Sequence, residues 1–218
     1  MRTRVKICGL TREQDIASAV QAGADAIGFV FYPASKRHVD PARAAQLRRE
    51  VPAFVDVVAL FVNPRPDEVQ AVLDHVAPDL LQFHGDETPA GLRPLRPPLP
   101  AGLSRRAPGL DSAAGLAAAC RQYADAAGWL FDSYSAGYGG SGQGFDHGLL
   151  AGVQADPASC AIVLAGGLHP GNVADAVRAV RPWAVDVSSG VEDAPGIKSA
   201  GKIRQLMAAI KSVDQVAR

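Results

Sequence analysis

Residues 4–23 run Arg4-Val5-Lys6-Ile7-Cys8, then Gly9-Leu10-Thr11, then an alanine-rich stretch from Arg12 to Ala22 that stops at Gly23. The first piece is β-branched and alternating, the second is a glycine-bearing turn, and the third spaces Ile16, Ala19 and Val20 on one helical face. Thr11 is expected to cap this helix, with Glu13 and Asp15 near its positive end and Gly23 as the left-handed terminator. The same unit of strand, loop and amphipathic helix then recurs. Strands are expected over 25–31, 54–62, 79–83, 101–105, 128–132, 161–165 and 183–187. Helices are expected over 40–50 (capped by Asp40, with Pro41 in its first turn), 67–76, 88–95, 111–126 (capped by Asp111), 145–151, 170–180 and 199–211, with residues 212–218 as a frayed tail. The fifth strand is the hardest to place, because Pro97, Pro98 and Pro100 confine it to starting after them.

Eight such units in 218 residues are close to the minimum for a closed parallel barrel. A doubly wound open sheet gives the same alternation. The first strand–helix turn, however, carries no Gly-x-Gly-x-x-Gly, and no linker or change of composition divides the chain. The expectation is an α/β fold, a single (βα)8 TIM barrel occupying residues 1–218 as one domain.

Composition narrows the function classes. Lys and Arg total 22, Asp and Glu total 22, and the net charge is zero, so no sustained positive field favours nucleic acid or an anionic membrane. No apolar stretch approaches the ~20 residues that span a bilayer, and the opening residues lack the apolar core of a secretory leader. Cys8, Cys120 and Cys160 are odd in number and widely spaced, which fits reduced thiols of a cytoplasmic protein better than a disulfide framework or a zinc site.

In a parallel barrel the loops at the strand C-termini form the active face. That rule selects Cys8, the Arg37 loop, Asn63, Gln82 with His84, Asp132, Gly166-Gly167 and the stretch from Asp186 to Gly190. Gly166 and Gly167, with Ser188, Ser189 and Gly190 in the next loop, resemble a phosphate cradle, where backbone N–H groups and hydroxyls approach an anion; ordinary turn chemistry is the alternative. Cys8 is either a reactive thiolate or a small buried hydrophobe. Asp132, ending the apolar run Trp129-Leu130-Phe131, is either a general acid with a raised pKa or a turn former; Asp186 has the same two readings. Arg37 has the fork to pair with a carboxylate, although Lys36 and His38 also suit a solvated basic loop. Gln82 and His84 share one strand face, and His84 either meets substrate or caps the Gly85-Asp86-Glu87 turn. The glycine-rich run 137–144 has the freedom to close over a ligand.

With these residues in view, the chain resembles the phosphoribosylanthranilate isomerases of tryptophan biosynthesis. The likeness is carried by Lys6-Ile7-Cys8-Gly9-Leu10-Thr11, Phe31-Tyr32-Pro33-Ala34-Ser35-Lys36-Arg37, Phe61-Val62-Asn63 and Leu81-Gln82-Phe83-His84-Gly85-Asp86-Glu87. It continues through Gly139-Gly140-Ser141-Gly142, Leu164-Ala165-Gly166-Gly167-Leu168, the run from Val185 to Glu192, and Gly196-Ile197-Lys198. The segment 97–106 departs from the family's β-rich fifth strand, and His147 stands where an aromatic is usual. The resemblance implies a cofactor-free, metal-free Amadori rearrangement of a phosphorylated aminosugar, with Cys8 as general base and Asp132 as general acid. It further implies Arg37 on the anthranilate, Asp186 near the ribose, and phosphate held by Gly166, Gly167, Ser188, Ser189 and Gly190. A monomer and a homodimer are equally compatible with it. Two alternatives stand beside it: a related phosphoribosyl-handling barrel enzyme, and a phosphosugar-binding barrel with impaired catalysis.

Overall fold

The computed structural model describes residues 2–92, 101–105, 112–132, 148, 150–156 and 159–216, with residues 101–105, 113 and 216 described by their backbone. Strands and helices alternate as β1 (Arg4–Cys8), α1 (Glu13–Ala22), β2 (Ala26–Val30), α2 (Pro41–Arg48), β3 (Asp56–Phe61), α3 (Pro66–Val76), β4 (Leu80–Phe83) and α4 (Pro89–Leu92). They continue as β5 (Ala101–Arg105), α5 (Ala113–Arg121), β6 (Gly128–Phe131), α6 (Leu150–Gln154), β7 (Ala161–Leu164), α7 (Val173–Val180) and β8 (Ala184–Val187). A 3-10 turn (Ser189–Val191) and a two-stranded hairpin of β9 (Glu192–Ala194) and β10 (Ile197–Lys198) lead into α8 (Ala200–Val216).

Seven strands, β1–β4 and β6–β8, form a parallel sheet that curls until β8 lies beside β1, pairing Lys6 with Asp186. The backbone of β5 runs parallel between β4 and β6, with Gln82 opposite Gly102 and Gly102 opposite Gly128. Alternation along the strands makes two apolar layers. One set, including Ile7, Phe29, Phe61, Phe83, Leu164 and Val185, packs outward against Ile16, Leu47, Val72, Val177, Ile203 and Leu206 of the helices. The stacked rings of Phe31, Phe61 and Phe83, with centroids 5.4 and 5.9 Å apart, stiffen that outer layer. The other set is small: Cys8, Val30, Leu60 and Val62, with Tyr32 packed against them. The inward face therefore has room for polar groups, and it is where Lys6, Gln82 and Asp186 are buried.

Several expected boundaries move. Thr11 does not cap α1: its hydroxyl donates to the carbonyl of Gly196 (2.8 Å), and the extended Arg12 stands at the cap position, its guanidinium bound to Asp15. Gly23 does end the helix at φ 94°. Phe54 is fully exposed at φ 69° in the turn before β3 rather than within the strand. Ser112 caps α5 by accepting from the N–H of Gly115 (3.1 Å), and α5 ends at Arg121; Asp111 lies outside the described residues. The expected fraying from residue 212 is corrected as well, because α8 runs on to Val216. Asp214 fastens it by accepting from the backbone N–H and hydroxyl of Thr3 (2.9 and 3.0 Å).

The cap of α2 forms as expected, with Asp40 Oδ1 accepting from the N–H of Arg43 at 2.7 Å and Pro41 leading the helix. Replacing Asp40 with Ala is expected to cost about 1 kcal/mol, read as a lowered urea midpoint; an unchanged midpoint would show the cap to be energetically idle.

Candidate active site

β1 supplies the base of the site. Lys6 and Cys8 are two residues apart on one strand and so face the same way, into the ring. A strand with a charged residue there needs a partner, since an isolated buried ammonium is costly. Lys6 Nζ donates to Asp186 Oδ2 (2.7 Å) on β8 and to Gln82 Oε1 (2.9 Å) on β4. Asp186 Oδ1 and Gln82 Nε2 remain buried with no hydrogen-bond partner among the described residues. One acceptor and one donor are thus left over for a ligand.

Gly28 of β2 makes this arrangement possible. It sits opposite Cys8 in the ladder, and a Cβ there would lie 2.9 Å from Cys8 Sγ and 3.0 Å from Lys6 Cε. Burial pushes the Cys8 thiol up; the Lys6 ammonium pulls it down, Asp186 pushes it up, and the net direction is up. For Lys6 burial pulls down, yet Asp186 and Cys8 outweigh it and the ammonium is held above its ordinary value. Lys6 is therefore the main charge that works against burial to favour a thiolate at Cys8, with a smaller pull from Lys198.

Across the mouth, Asp132 follows β6, and its Oδ2 lies 3.5 Å from His84 Nε2. Of the two roles open to His84, the turn cap is filled by another residue. Glu87 accepts from the backbone N–H of Gly85 (2.8 Å) and of Asn63 (2.7 Å), and Asn63 Oδ1 accepts from the N–H of Asp86 (2.8 Å). Asn63 and the Gly85-Asp86-Glu87 turn are thereby loop architecture, and His84 is a neighbour of Asp132.

Arg37, in the loop after β2, is gripped by Glu192 through two parallel bonds, Nε to Oε1 (2.8 Å) and one terminal nitrogen to Oε2 (2.7 Å). Its fork is thus occupied, and a ligand carboxylate would meet only the remaining edge of the guanidinium.

The two loops expected to cradle an anion follow β7 and β8. Gly166 and Gly167 stand at φ 82° and 64°, a conformation costly for any residue with a Cβ. Their amides, and those of Ser189 and Gly190, donate no hydrogen bond among the described residues. Ser188 instead spends its hydroxyl proton on the carbonyl of Cys8 (3.1 Å), tying the mouth of β8 to that of β1. Gly190 carries a steric constraint besides its amide. A Cβ on it would overlap the carbonyl of Leu168, so it is the residue that lets the two loops meet.

One cavity at the strand C-termini is lined by Cys8, Arg37, Gln82, His84, Asp132, Gly166, Gly167, Asp186, Ser188 and Ser189 together. A roomier, more open cleft at the opposite end, lined by Arg2, Arg178, Trp183 and Asp214 among others, contains none of them. Among the described residues no cluster of His, Cys, Asp and Glu has metal-binding geometry, and no helix is long and apolar enough to cross a membrane. The glycine-rich run 137–144 and His147 lie outside the described residues. The roles of Glu192 and Lys198 were not foreseen from sequence, nor was that of Gly28, although a glycine inside an apolar strand signals a close approach.

Residues 5–209 match the sequence pattern of the family described as N-(5′-phosphoribosyl)anthranilate (PRA) isomerase. An N-(5′-phosphoribosyl)anthranilate isomerase from Bordetella pertussis is 93% identical, with all of both chains covered. The crystal structure of phosphoribosyl anthranilate isomerase from Thermotoga maritima superposes with a TM-score of 0.86 at 37% identity, over 96% of this chain and 99% of that one. A phosphoribosyl anthranilate isomerase in complex with reduced 1-(o-carboxyphenylamino)-1-deoxyribulose 5-phosphate superposes with a TM-score of 0.83 at 35% identity, over 96% and 99% of the two chains.

Replacing Lys6 with Met strands the Asp186 carboxylate, and loss of one partner of a buried pair costs about 3–5 kcal/mol. In that variant the midpoint of Cys8 alkylation against pH is expected to move upward, because the cation opposing burial has gone. An unchanged midpoint in a folded variant would show that Lys6 does not tune the thiol.

Proposed function

Since the chain belongs to the N-(5′-phosphoribosyl)anthranilate isomerase family, we propose that it converts N-(5′-phosphoribosyl)anthranilate to 1-(o-carboxyphenylamino)-1-deoxyribulose 5-phosphate, a step of tryptophan biosynthesis. The observation that carries this is the single mouth cavity bordered by both Cys8 and Asp132, with the glycine and serine loops at its side. The sheet is taken as a complete, closed (βα)8 barrel forming one domain, supported by the pairing of β5 on both sides.

The chemistry needs one proton donor and one acceptor. Asp132 protonates the ring oxygen of the sugar, the bond from C1′ to that oxygen breaks, and the nitrogen lone pair forms a Schiff base at C1′. Cys8, as thiolate, removes the proton from C2′. The electron pair forms the C1′=C2′ bond as the C1′=N pair returns to nitrogen, giving an enolamine; C1′ then takes a proton, the 2′-hydroxyl gives one up, and C2′ becomes the ketone. C2′ is oxidised and C1′ reduced within one molecule, so the step balances as an aldose–ketose isomerisation without an added cofactor. A positioned acid or base contributes about a hundred- to ten-thousand-fold each.

Binding follows the geometry of the mouth. The amides of Gly166, Gly167, Ser189 and Gly190 hold the phosphate, the edge of Arg37 turned away from Glu192 takes the anthranilate carboxylate, and Asp186 Oδ1 and Gln82 Nε2 serve the sugar hydroxyls. Anchoring the phosphate far from C1′ and C2′ turns binding energy into orientation. The setting is taken as cytoplasmic.

Turnover is followed as loss of substrate fluorescence. Cys8→Ser and Asp132→Asn are each expected to lower kcat by about a hundredfold or more while still binding the reduced product analogue. Near-normal kcat in either variant would remove that residue from the mechanism. A wild-type chain that binds the analogue without turning over substrate would favour the phosphosugar-binding alternative. Arg37→Ala is expected to act chiefly on KM, and an unaltered KM would contradict its contact with the carboxylate.

A further inference from the structure

Glu192 and Lys198 are buried charges that the proposed chemistry leaves unused. They belong to β9 and β10, the hairpin just beyond the phosphate loop. The Glu192 side chain is 5% exposed and that of Lys198 is 0% exposed, so their charges must be answered by fixed partners. Glu192 answers Arg37 with both oxygens. Its Oε1 also accepts from Lys198 Nζ (2.7 Å), and the same ammonium donates to the carbonyl of Ser188 (3.1 Å). The backbone of the hairpin is pinned in turn: Lys202 Nζ donates to the Glu192 carbonyl (2.6 Å), and Asp15 Oδ2 accepts from the Lys198 N–H (3.0 Å).

Arg37 is held from a second side. Gly9 stands at φ +76°, and a Cβ on it would fall 2.5 Å from Arg37 Cδ, so the arginine stem lies flat across that glycine. An arginine side chain in a loop is ordinarily free to sample many rotamers. Here that freedom is removed before any ligand arrives. A buried ion pair is weak evidence for stability, which leaves orientation as the physical benefit of this one.

We propose that Glu192 is a positioning residue: anchored by Lys198, it holds the Arg37 guanidinium so that its unoccupied edge faces the substrate carboxylate. This rests on the proposed isomerase function and adds a residue that acts through another rather than on the reacting atoms.

The test is a double-mutant cycle with steady-state kinetics on the full chain. Glu192→Gln is expected to raise KM by about tenfold while kcat stays within about threefold, the signature of lost binding rather than lost chemistry. Arg37→Ala with Glu192→Gln is expected to give the KM of Arg37→Ala alone, because residues acting as one unit are not additive. Inhibition by inorganic phosphate is expected to be unchanged in every variant. Unaltered KM in Glu192→Gln, or additive effects in the double variant, overturns the proposal. Phosphate inhibition that weakens in parallel with KM overturns it too, by showing general support of the mouth. Should Glu192→Gln fail to fold, Glu192→Asp keeps the charge opposite Lys198 and shortens the reach to Arg37, and the same outcomes are read from it. Absence of turnover in the unmodified chain removes the isomerase function itself and this proposal with it.

Discussion

The bond from Lys6 to Asp186 joins the first strand of the sheet to the last, and the placing of the β1 and β8 groups at the mouth follows from it. Backbone pairing alone allows β8 to slide against β1, and a one-residue slip would turn every side chain to the other face. A buried ammonium that meets both Asp186 and Gln82 admits one register. With Lys6 opposite Asp186, Cys8 and Ser188 each sit two residues further on, side by side at the rim, where the Ser188 hydroxyl reaches the Cys8 carbonyl. The same ammonium that fixes the seam is the cation beneath the thiol, so joining β8 to β1 and tuning the Cys8 thiol are one interaction.

In a chain with zero net charge, two ammonium groups are nonetheless buried. Lys6 lies under the thiol and Lys198 beside the Arg37–Glu192 pair, and each is buried against a named carboxylate. For Glu192 burial pushes the pKa up, but the bonds from Arg37 and Lys198 outweigh it and hold the carboxyl below its ordinary value. Its contribution to stability is therefore complete above the unfolded carboxylate range and is lost as pH falls through the lower folded value. An Asp186 oxygen, a Gln82 amide and the loop amides have no partner among the described residues, and these are the groups that the proposed function assigns to the ligand.

Much of this was legible in the sequence, for identifiable reasons. The strands and helices declared themselves through period and punctuation: Gly23 required a left-handed terminator, Asp40-Pro41 a helix start, and the apolar runs a buried sheet. The rule that barrel chemistry sits at strand C-termini selected Cys8, Arg37, Gln82, His84, Asp132, Gly166, Gly167 and Asp186, all of which line one cavity. What the sequence hid were contacts set by distance in space. Glu192 is 155 positions from Arg37, and nothing local to either predicts the pair. Thr11 carried a good capping signal and lost it to a carbonyl of the β9–β10 turn. Residues 212–216 read as a tail because the partner of Asp214 is Thr3, at the other end of the chain. Gly190 is assigned to phosphate by its motif, and its lack of a Cβ has a second consequence that the motif does not reveal, the meeting of two loops.

The central claim is that an acid from β6 and a base from β1 act on neighbouring atoms of one sugar tethered by its phosphate. A crystal structure of this chain with the reduced product analogue tests it most directly. The account predicts Cys8 Sγ within about 3.5 Å of C2′, the Asp132 carboxyl within hydrogen-bond reach of the oxygen that closes the sugar ring in the substrate, and the phosphate on the Gly166–Gly167 and Ser188–Gly190 loops. An analogue bound with its phosphate elsewhere, or with C2′ remote from the sulfur, would contradict it.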